Sequence, residues 1–419
     1  MLRFELVDYL HLVYKCIAAP PLSCVMYIDG ERKVVDTAIP NFTSKDIWRF
    51  SSNGKHSTGV FLEGGAPIRK AYFNAVANFR EWVDTGELPK TATPSKEEGY
   101  KAGRAGLNPA QKQGINLTID RLMRGGVSLY QLAGFEADDL LWTAYKQLRT
   151  QYPDAHIDIY TGDMDMLPMV DEHTSVYMRG NRTWAEPMCG MGYCESCRDG
   201  CEKYSDDTCK CRREYKNYFE VTPVNWDEFI SYRSAFKGYK IPYNSVYLFK
   251  MLRGDTSDNV PMVAKGYGPK KWNEIIDKMT ADGVQFDKIF RYDTPWSVIQ
   301  PILLNYFDNK TVAFMMLNAE GIRPRSCMGD LINLIPYPNG TGAKIDVTDV
   351  YNKLKAGETI VPGSDEERRR SMIVYDCMRK GINPALNIQL TPPVVPDIGK
   401  LQPSLSELKI NLSTKSVVY

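Results

Sequence analysis

The sequence predicts an α/β fold with a mainly parallel central sheet, followed by a small helical domain. Short apolar segments run into an acidic residue at three separate places along the first 165 residues. An amphipathic helical segment lies between the second and third, and past residue 240 the pattern becomes helix, polar turn, helix.

The first strand is expected at Leu2 to Val7, ending at Asp8, with a helix from Leu10 to Ile17. Gly59-Val60-Phe61-Leu62 forms the second and meets Glu63 before a turn forced by Gly64-Gly65-Ala66-Pro67. From Thr85 to Gly114 the chain is rich in Lys, Gly, Pro and Thr, and no fixed helix is expected there. Gly134-Phe135-Glu136-Ala137-Asp138-Asp139 opens a helix that continues through Leu148. His156 to Thr161 alternates as a β-branched strand, followed by Gly162, Asp163, Asp165 and a helix through Met169. Tyr247 to Arg253 is helical in spacing and leads through Gly254-Asp255-Thr256-Ser257-Asp258-Asn259 to the turn Lys265-Gly266-Tyr267-Gly268-Pro269-Lys270-Lys271. Trp226, Phe229, Tyr232 and Phe236 recur at helical spacing as a buried face.

Length and composition bound the function. A chain of 419 residues exceeds one ordinary core, so we expect a domain over residues 1–240, a second over 241–345 and an irregular extension over 346–419. The 52 basic and 51 acidic residues nearly cancel, so any nucleic-acid surface must come from local segregation of charge. No apolar run is long enough to cross a membrane, and Asp8, His11 and Lys15 interrupt the apolar start, so a cytoplasmic protein is expected. His11, His56, His156 and His173 form no triad with a nucleophile, which leaves acyl transfer without support.

Asp8, Glu63, Glu136, Asp138, Asp139, Asp163, Asp165, Asp255 and Asp258 are the residues that carry chemistry. Singly each suits a helix cap or a solvated turn. Gathered at the carboxyl ends of strands, where open α/β sheets build their sites, so many like charges require cations. Hard carboxylate oxygens suit Mg²⁺, with Mn²⁺ as a substitute, and two such ions can activate water and stabilise a leaving oxygen on phosphate.

The ordered strings Gly134-Phe135-Glu136-Ala137-Asp138-Asp139, Thr161-Gly162-Asp163-Met164-Asp165 and Gly254-Asp255-Thr256-Ser257-Asp258-Asn259-Val260-Pro261 resemble the signature of the phage and bacterial 5′-3′ exonuclease and flap endonuclease family. Asp8 matches that family's early Asp, and Tyr100-Lys101-Ala102-Gly103-Arg104 resembles its basic motif. The resemblance covers residues 4 to 272 and departs at Glu63, where Asp is usual, and at Tyr9, where Gly is usual. It implies a PIN-like 5′-nuclease fold with a helix-hairpin-helix domain, and metal held by the carboxylates with Asp255 and Asp258 contributing from the second region. It places Lys101 and Arg104 near the scissile phosphate and Tyr100 against an unpaired base. The turn carrying Lys265, Gly266, Gly268, Lys270 and Lys271 would grip the DNA backbone, with a monovalent cation beside it.

By that resemblance the partner is DNA with a 5′ end or flap, or an RNA–DNA hybrid, met by a free-standing monomer alongside replication proteins in a bacterium or a phage-infected host. Two rival readings stand beside it: a PIN-type ribonuclease, which generally lacks the hairpin, and a replication factor that binds DNA structure without cutting.

Six cysteines crowd between Cys189 and Cys211 among Gly, Asp and Ser, a segment that cannot build an apolar core. Cys194, Cys197, Cys209 and Cys211 are the set best spaced for one structural Zn²⁺, with disulfides or free thiols and an iron–sulfur cluster as the alternatives.

Overall fold

Alternation along Arg3–Asp8 (β1) sends Phe4 and Leu6 to one face and Glu5 and Val7 to the other, and all four are buried, as a strand covered on both faces requires. This strand is central in the computed structural model, which describes residues 2–17, 23–28, 30–51, 55–65, 69, 73, 100–101, 106–179, 218–324, 327, 390–395 and 417–418. The chain divides into two units. One joins Met1–Gly64, Gly106–Tyr232 and Gln389–Tyr419; the other joins Gly65–Ala105 and Arg233–Ile388.

In the first unit β1 is followed by α1 (Tyr9–Ile17), β2 (Ser23–Ile28), β3 (Glu31–Asp36), α2 (Ala38–Phe50), β4 (Ser57–Phe61), α3 (Pro109–Arg124) and β5 (Ser128–Tyr130). Then come α4 (Ala137–Gln151), β6 (His156–Thr161), a 3-10 turn at Met164–Met169, β7 (Thr174–Arg179), β8 (Tyr218–Val221) and α5 (Trp226–Tyr232). The six-stranded sheet runs β5-β4-β1-β6-β7-β8, parallel except for β8, which pairs antiparallel with β7. The expected mainly parallel sheet is therefore present. A separate small antiparallel sheet, β3-β2-β9 with β9 at Val417–Val418, had no counterpart in the sequence reading.

Val7, Leu12, Val13, Ile39, Ile47, Val60, Leu122 and Tyr160 form one core layer between the sheet and its helices. On the other face, Leu6, Ile159, Leu140, Leu141 and Leu148 are buried where α4 packs against β1 and β4. Burying side chains of this size stabilises the fold by about 1.5–3 kcal/mol each.

Helix α3 corrects the expectation that no fixed helix occurs before residue 114. It starts at Pro109, because Asn108 and Gln111 cap each other reciprocally and Pro109 suits the first helical position. The helix expected after Asp163 is a 3-10 turn containing Pro168, whose missing N–H and ring prevent a longer α-helix. The aromatic face at 226–236 is also divided: Trp226 and Phe229 lie in α5 of the first unit, while the buried Phe236 belongs to the second.

The second unit contains α6 (Val246–Arg253), α7 (Pro269–Ala281), α8 (Phe286–Ile289), α9 (Trp296–Leu304) and α10 (Asn309–Ile322). Leu248, Trp272, Met279, Trp296, Leu303 and Met315 fill its core. Arg323, also buried, lies over the Trp296 ring at 3.8 Å and donates to the Tyr247 hydroxyl at 2.8 Å. No helix among the described residues is long and apolar enough to cross a membrane.

Candidate active site

Strand register brings the first acids together. Val7 pairs with Tyr160 and Asp8 with Phe61, so β1, β4 and β6 end side by side, at Asp8, just before Glu63, and at Thr161. Thr161 links two of the motifs: its hydroxyl donates to Asp8 Oδ2 at 3.1 Å and accepts from the Asp163 backbone N–H at 3.0 Å. Sequence reasoning recorded Thr161 only as part of a string; the hydroxyl two residues before Asp163 was the available signal. The Asp163 carboxylate in turn accepts from the Asp165 N–H at 2.9 Å and caps the 3-10 turn.

Burial is the main force on Asp8 and pushes its carboxyl up to about 6. The Thr161 hydrogen bond opposes that rise, the Asp163 charge adds to it, the His11 N–H opposes it, and the Asp138 charge adds again. Asp8 therefore feels the charges of both Asp163 and Asp138.

The Glu136–Asp139 turn is built by mutual capping. Glu136 precedes α4 and caps it, while Asp139 accepts from the Glu136 N–H at 3.0 Å. Asp138 Oδ1 accepts from the Asp139 N–H at 2.8 Å. Glu136 and Asp139 are buried, and one oxygen from each of Glu136, Asp138 and Asp139 lies within 4.8 Å of the others. The same three carboxylates thus shape the start of the helix and lie close enough together to share one cation.

Glu63 is held near this turn through backbone. Gln131 Nε2 donates to the Glu63 carbonyl at 2.8 Å, and the Gly64 N–H donates to the Phe135 carbonyl at 2.8 Å. Gly64 is obligatory, since a Cβ there would lie 1.8 Å from the Leu132 carbonyl oxygen. Tyr9, the other departure from the family pattern, is buried in the core at the start of α1.

The remaining acids lie in the second unit. Asp255 is committed on both oxygens: Oδ2 to Lys250 Nζ at 2.6 Å, and Oδ1 to the Ser257 N–H at 2.8 Å and hydroxyl at 2.5 Å. Burial works to raise its carboxyl, but the Lys250 ammonium and the Ser257 donors outweigh it and leave the group at about 2. Asp258 holds the basic motif instead. Its Oδ2 accepts from the Tyr100 hydroxyl at 3.1 Å and lies 3.9 Å from Lys101 Nζ, and its carbonyl accepts from the Lys101 N–H at 3.0 Å. Tyr100 also stacks on Phe73 at 5.0 Å between centroids. Lys250 was not singled out from sequence, where it was one of two cations in a helical run.

In the turn before α7, Lys265 and Gly266 are exposed, Gly266 has φ +94°, and Gly268 precedes the helix that Pro269 opens. Lys270 and Lys271 are exposed in the first turn of α7, with Lys271 Nζ over the Tyr267 ring at 4.0 Å. Arg104 and the cysteines Cys194, Cys197, Cys209 and Cys211 lie outside the described residues.

The model of the 5′-3′ exonuclease N-terminal resolvase-like domain matches residues 81–191. A 5′-3′ exonuclease of Mycoplasma pneumoniae is 27% identical over 256 residues, covering 60% of this chain and 70% of that protein. DNA polymerase I of Lactococcus lactis subsp. cremoris is 34% identical over 79 residues, covering 18% of this chain and 9% of the polymerase. Among solved structures, the T5 5′-exonuclease with bound divalent zinc ions is 14% identical with a TM-score of 0.42, covering 85% of this chain and 98% of that one. Residues 81–191 thus match the 5′-3′ exonuclease N-terminal domain, and the chain is similar to a bacterial 5′-3′ exonuclease over 60% of its length.

Proposed function

We propose that the protein is a divalent-metal-dependent, structure-specific 5′-nuclease that hydrolyses phosphodiesters in DNA bearing a free 5′ end or flap and leaves 5′-phosphorylated products. The gathering of Glu136, Asp138 and Asp139 oxygens within 4.8 Å carries this reading, because three carboxylates so close, two of them buried, call for a cation. Asp8, Asp163 and Asp165 complete the donor set, with Glu63 at its edge. The donors are all carboxylate oxygens, which fits Mg²⁺ and admits Mn²⁺. Bound divalent ions would polarise the phosphate and lower the pKa of the attacking water.

The chain's own groups supply the rest. Lys101 and Arg104 offset the negative charge that grows on the phosphate in the transition state. Asp258 keeps Lys101 and Tyr100 in place through the contacts at 3.9 and 3.1 Å. Gly266, Gly268, Lys265, Lys270 and Lys271 hold phosphates of the duplex, contacts that carry no base information and so select structure over sequence. Asp255 shapes that region through Lys250 and Ser257.

Cleavage of a 5′-end-labelled DNA flap with Mg²⁺ and with EDTA tests the reading, comparing wild type with Asp163→Asn. Mg²⁺-dependent cutting that is lost in the variant supports it. Flap binding without cutting in the wild type would make the protein a structure-specific binder instead.

A further inference from the structure

Away from the acidic strand ends, one sheet face carries a second cluster near the amino ends of the parallel strands. His156 and Asp158 point to the same side of β6, Ser175 lies opposite Asp158 on β7, and Glu220 lies on β8. One ligand atom from each of His156, Asp158 and Glu220 lies within 4.8 Å of the other two. We propose that these three side chains form a cation site distinct from the nucleolytic carboxylates, suited to a divalent ion that accepts imidazole, such as Zn²⁺.

Three observations point to a ligand here. Asp158 has a fully buried side chain that the Glu5 carboxyl also hydrogen-bonds, and its Oδ1 has no partner in hydrogen-bonding geometry. That oxygen lies 3.1 Å from His156 Nε2. Ligand atoms on a tetrahedral ion with bonds of about 2.0–2.1 Å lie roughly 3.3 Å apart, so the pair already has the separation of two neighbouring ligands. Finally, Asp158 is oriented from behind: Arg3 Nε donates to its Oδ2, which leaves Oδ1 directed at the imidazole, as outer groups orient metal ligands.

Ser175 adds a neutral oxygen. Its hydroxyl donates to Glu220 Oε1 at 2.9 Å and lies 3.4 Å from His156 Nε2. Glu220 is exposed, so an ion can reach the site from solvent and a small rotation closes the third ligand on it. One imidazole and two carboxylates favour zinc over magnesium, which takes oxygen ligands and keeps its waters. An ion there would fasten β8, the only antiparallel strand of the six, to β6 across β7.

The test is Zn²⁺ binding by the full chain, measured as metal retained after equilibrium dialysis, for wild type, Glu220→Gln and His156→Asn. Cysteine and nucleolytic carboxylate sites are common to all three proteins and cancel in the difference. Each variant should retain one Zn²⁺ per chain fewer than wild type, and Zn²⁺ should raise the melting temperature of wild type more than that of either variant. Glu220 is exposed, so Glu220→Gln keeps the test valid if His156→Asn fails to fold. Equal retention in wild type and Glu220→Gln would overturn the proposal and leave the adjoining Glu5 carboxyl as the partner of Asp158.

Discussion

The Tyr100 hydroxyl donates to the Asp258 carboxylate at 3.1 Å across 158 residues of sequence, joining the basic motif to the third acidic motif within one unit. Lys101, next to it, adopts φ +55°, a conformation that costs a non-glycine residue roughly 1–2 kcal/mol. Strain at a charged residue held by a buried acid is what a functional constraint produces. Lys101→Gly should therefore keep or slightly raise the melting temperature while lowering flap cleavage by about 10²–10³-fold. A loss of stability that parallels the loss of cleavage would assign Lys101 a structural role only.

Gly64 separates Glu63 from the turn and admits no side chain, with the Leu132 carbonyl 1.8 Å from where a Cβ would be. The obstacle is backbone, which cannot rotate away. Gly64→Ala should destabilise the protein by about 1–3 kcal/mol, seen as a lower urea midpoint, and reduce cleavage beyond that loss by moving Glu63.

The Lys250–Asp255 pair is buried on both sides, with side-chain exposures of 5% and 9%. Removing one partner leaves a buried charge, so Lys250→Met should cost about 3–5 kcal/mol in chemical denaturation. The pH dependence has a definite sign. The Asp255 carboxyl is depressed from 3.8 to about 2, so its contribution is complete above about pH 4 and is lost as pH falls through about 2. Acid unfolding of Lys250→Met should lack that component.

Asp8 has the opposite sign. Its carboxyl is raised from 3.8 to about 6, so in EDTA its contribution is complete below about pH 4 and is lost as pH rises through about 6. Metal ligation requires the carboxylate, so Mn²⁺ affinity should climb with pH up to about 6 and then flatten. Calorimetric titration checks this: Asp8→Asn should bind Mn²⁺ more weakly and without that rise. A slope that persists unchanged in the variant would assign it to another group.

Strand ends were legible because apolar runs stop at acids: β1 at Asp8, β4 before Glu63, and β6 at the threonine before Asp163. The β2–β3 hairpin was not. Only Cys24, Met26 and Val35 are buried into its small core, while Tyr27, Arg32 and Val34 face outward and blur the alternation. The start of α3 was hidden because Gly114 argues against a helix by propensity, yet that glycine is required where a Cβ would lie 2.5 Å from the Asp36 carbonyl. The union of Tyr100 and Lys101 with Asp258 was invisible for a different reason. Each motif was identified alone, and no local pattern encodes which carboxylate a distant lysine meets. For Asp255, the sequence showed an acid in a turn but not the lysine five residues earlier that occupies it.

The antiparallel pairing of β7 with β8 makes the sheet tolerant of inserted chain. Arg179 and Tyr218 face each other in register, so the chain leaves the sheet and re-enters it at neighbouring points. Lengthening a connection whose ends already adjoin costs only about 0.6 kcal/mol of closure entropy per doubling. That junction therefore accepts insertions of very different length while the sheet beneath keeps its pairing.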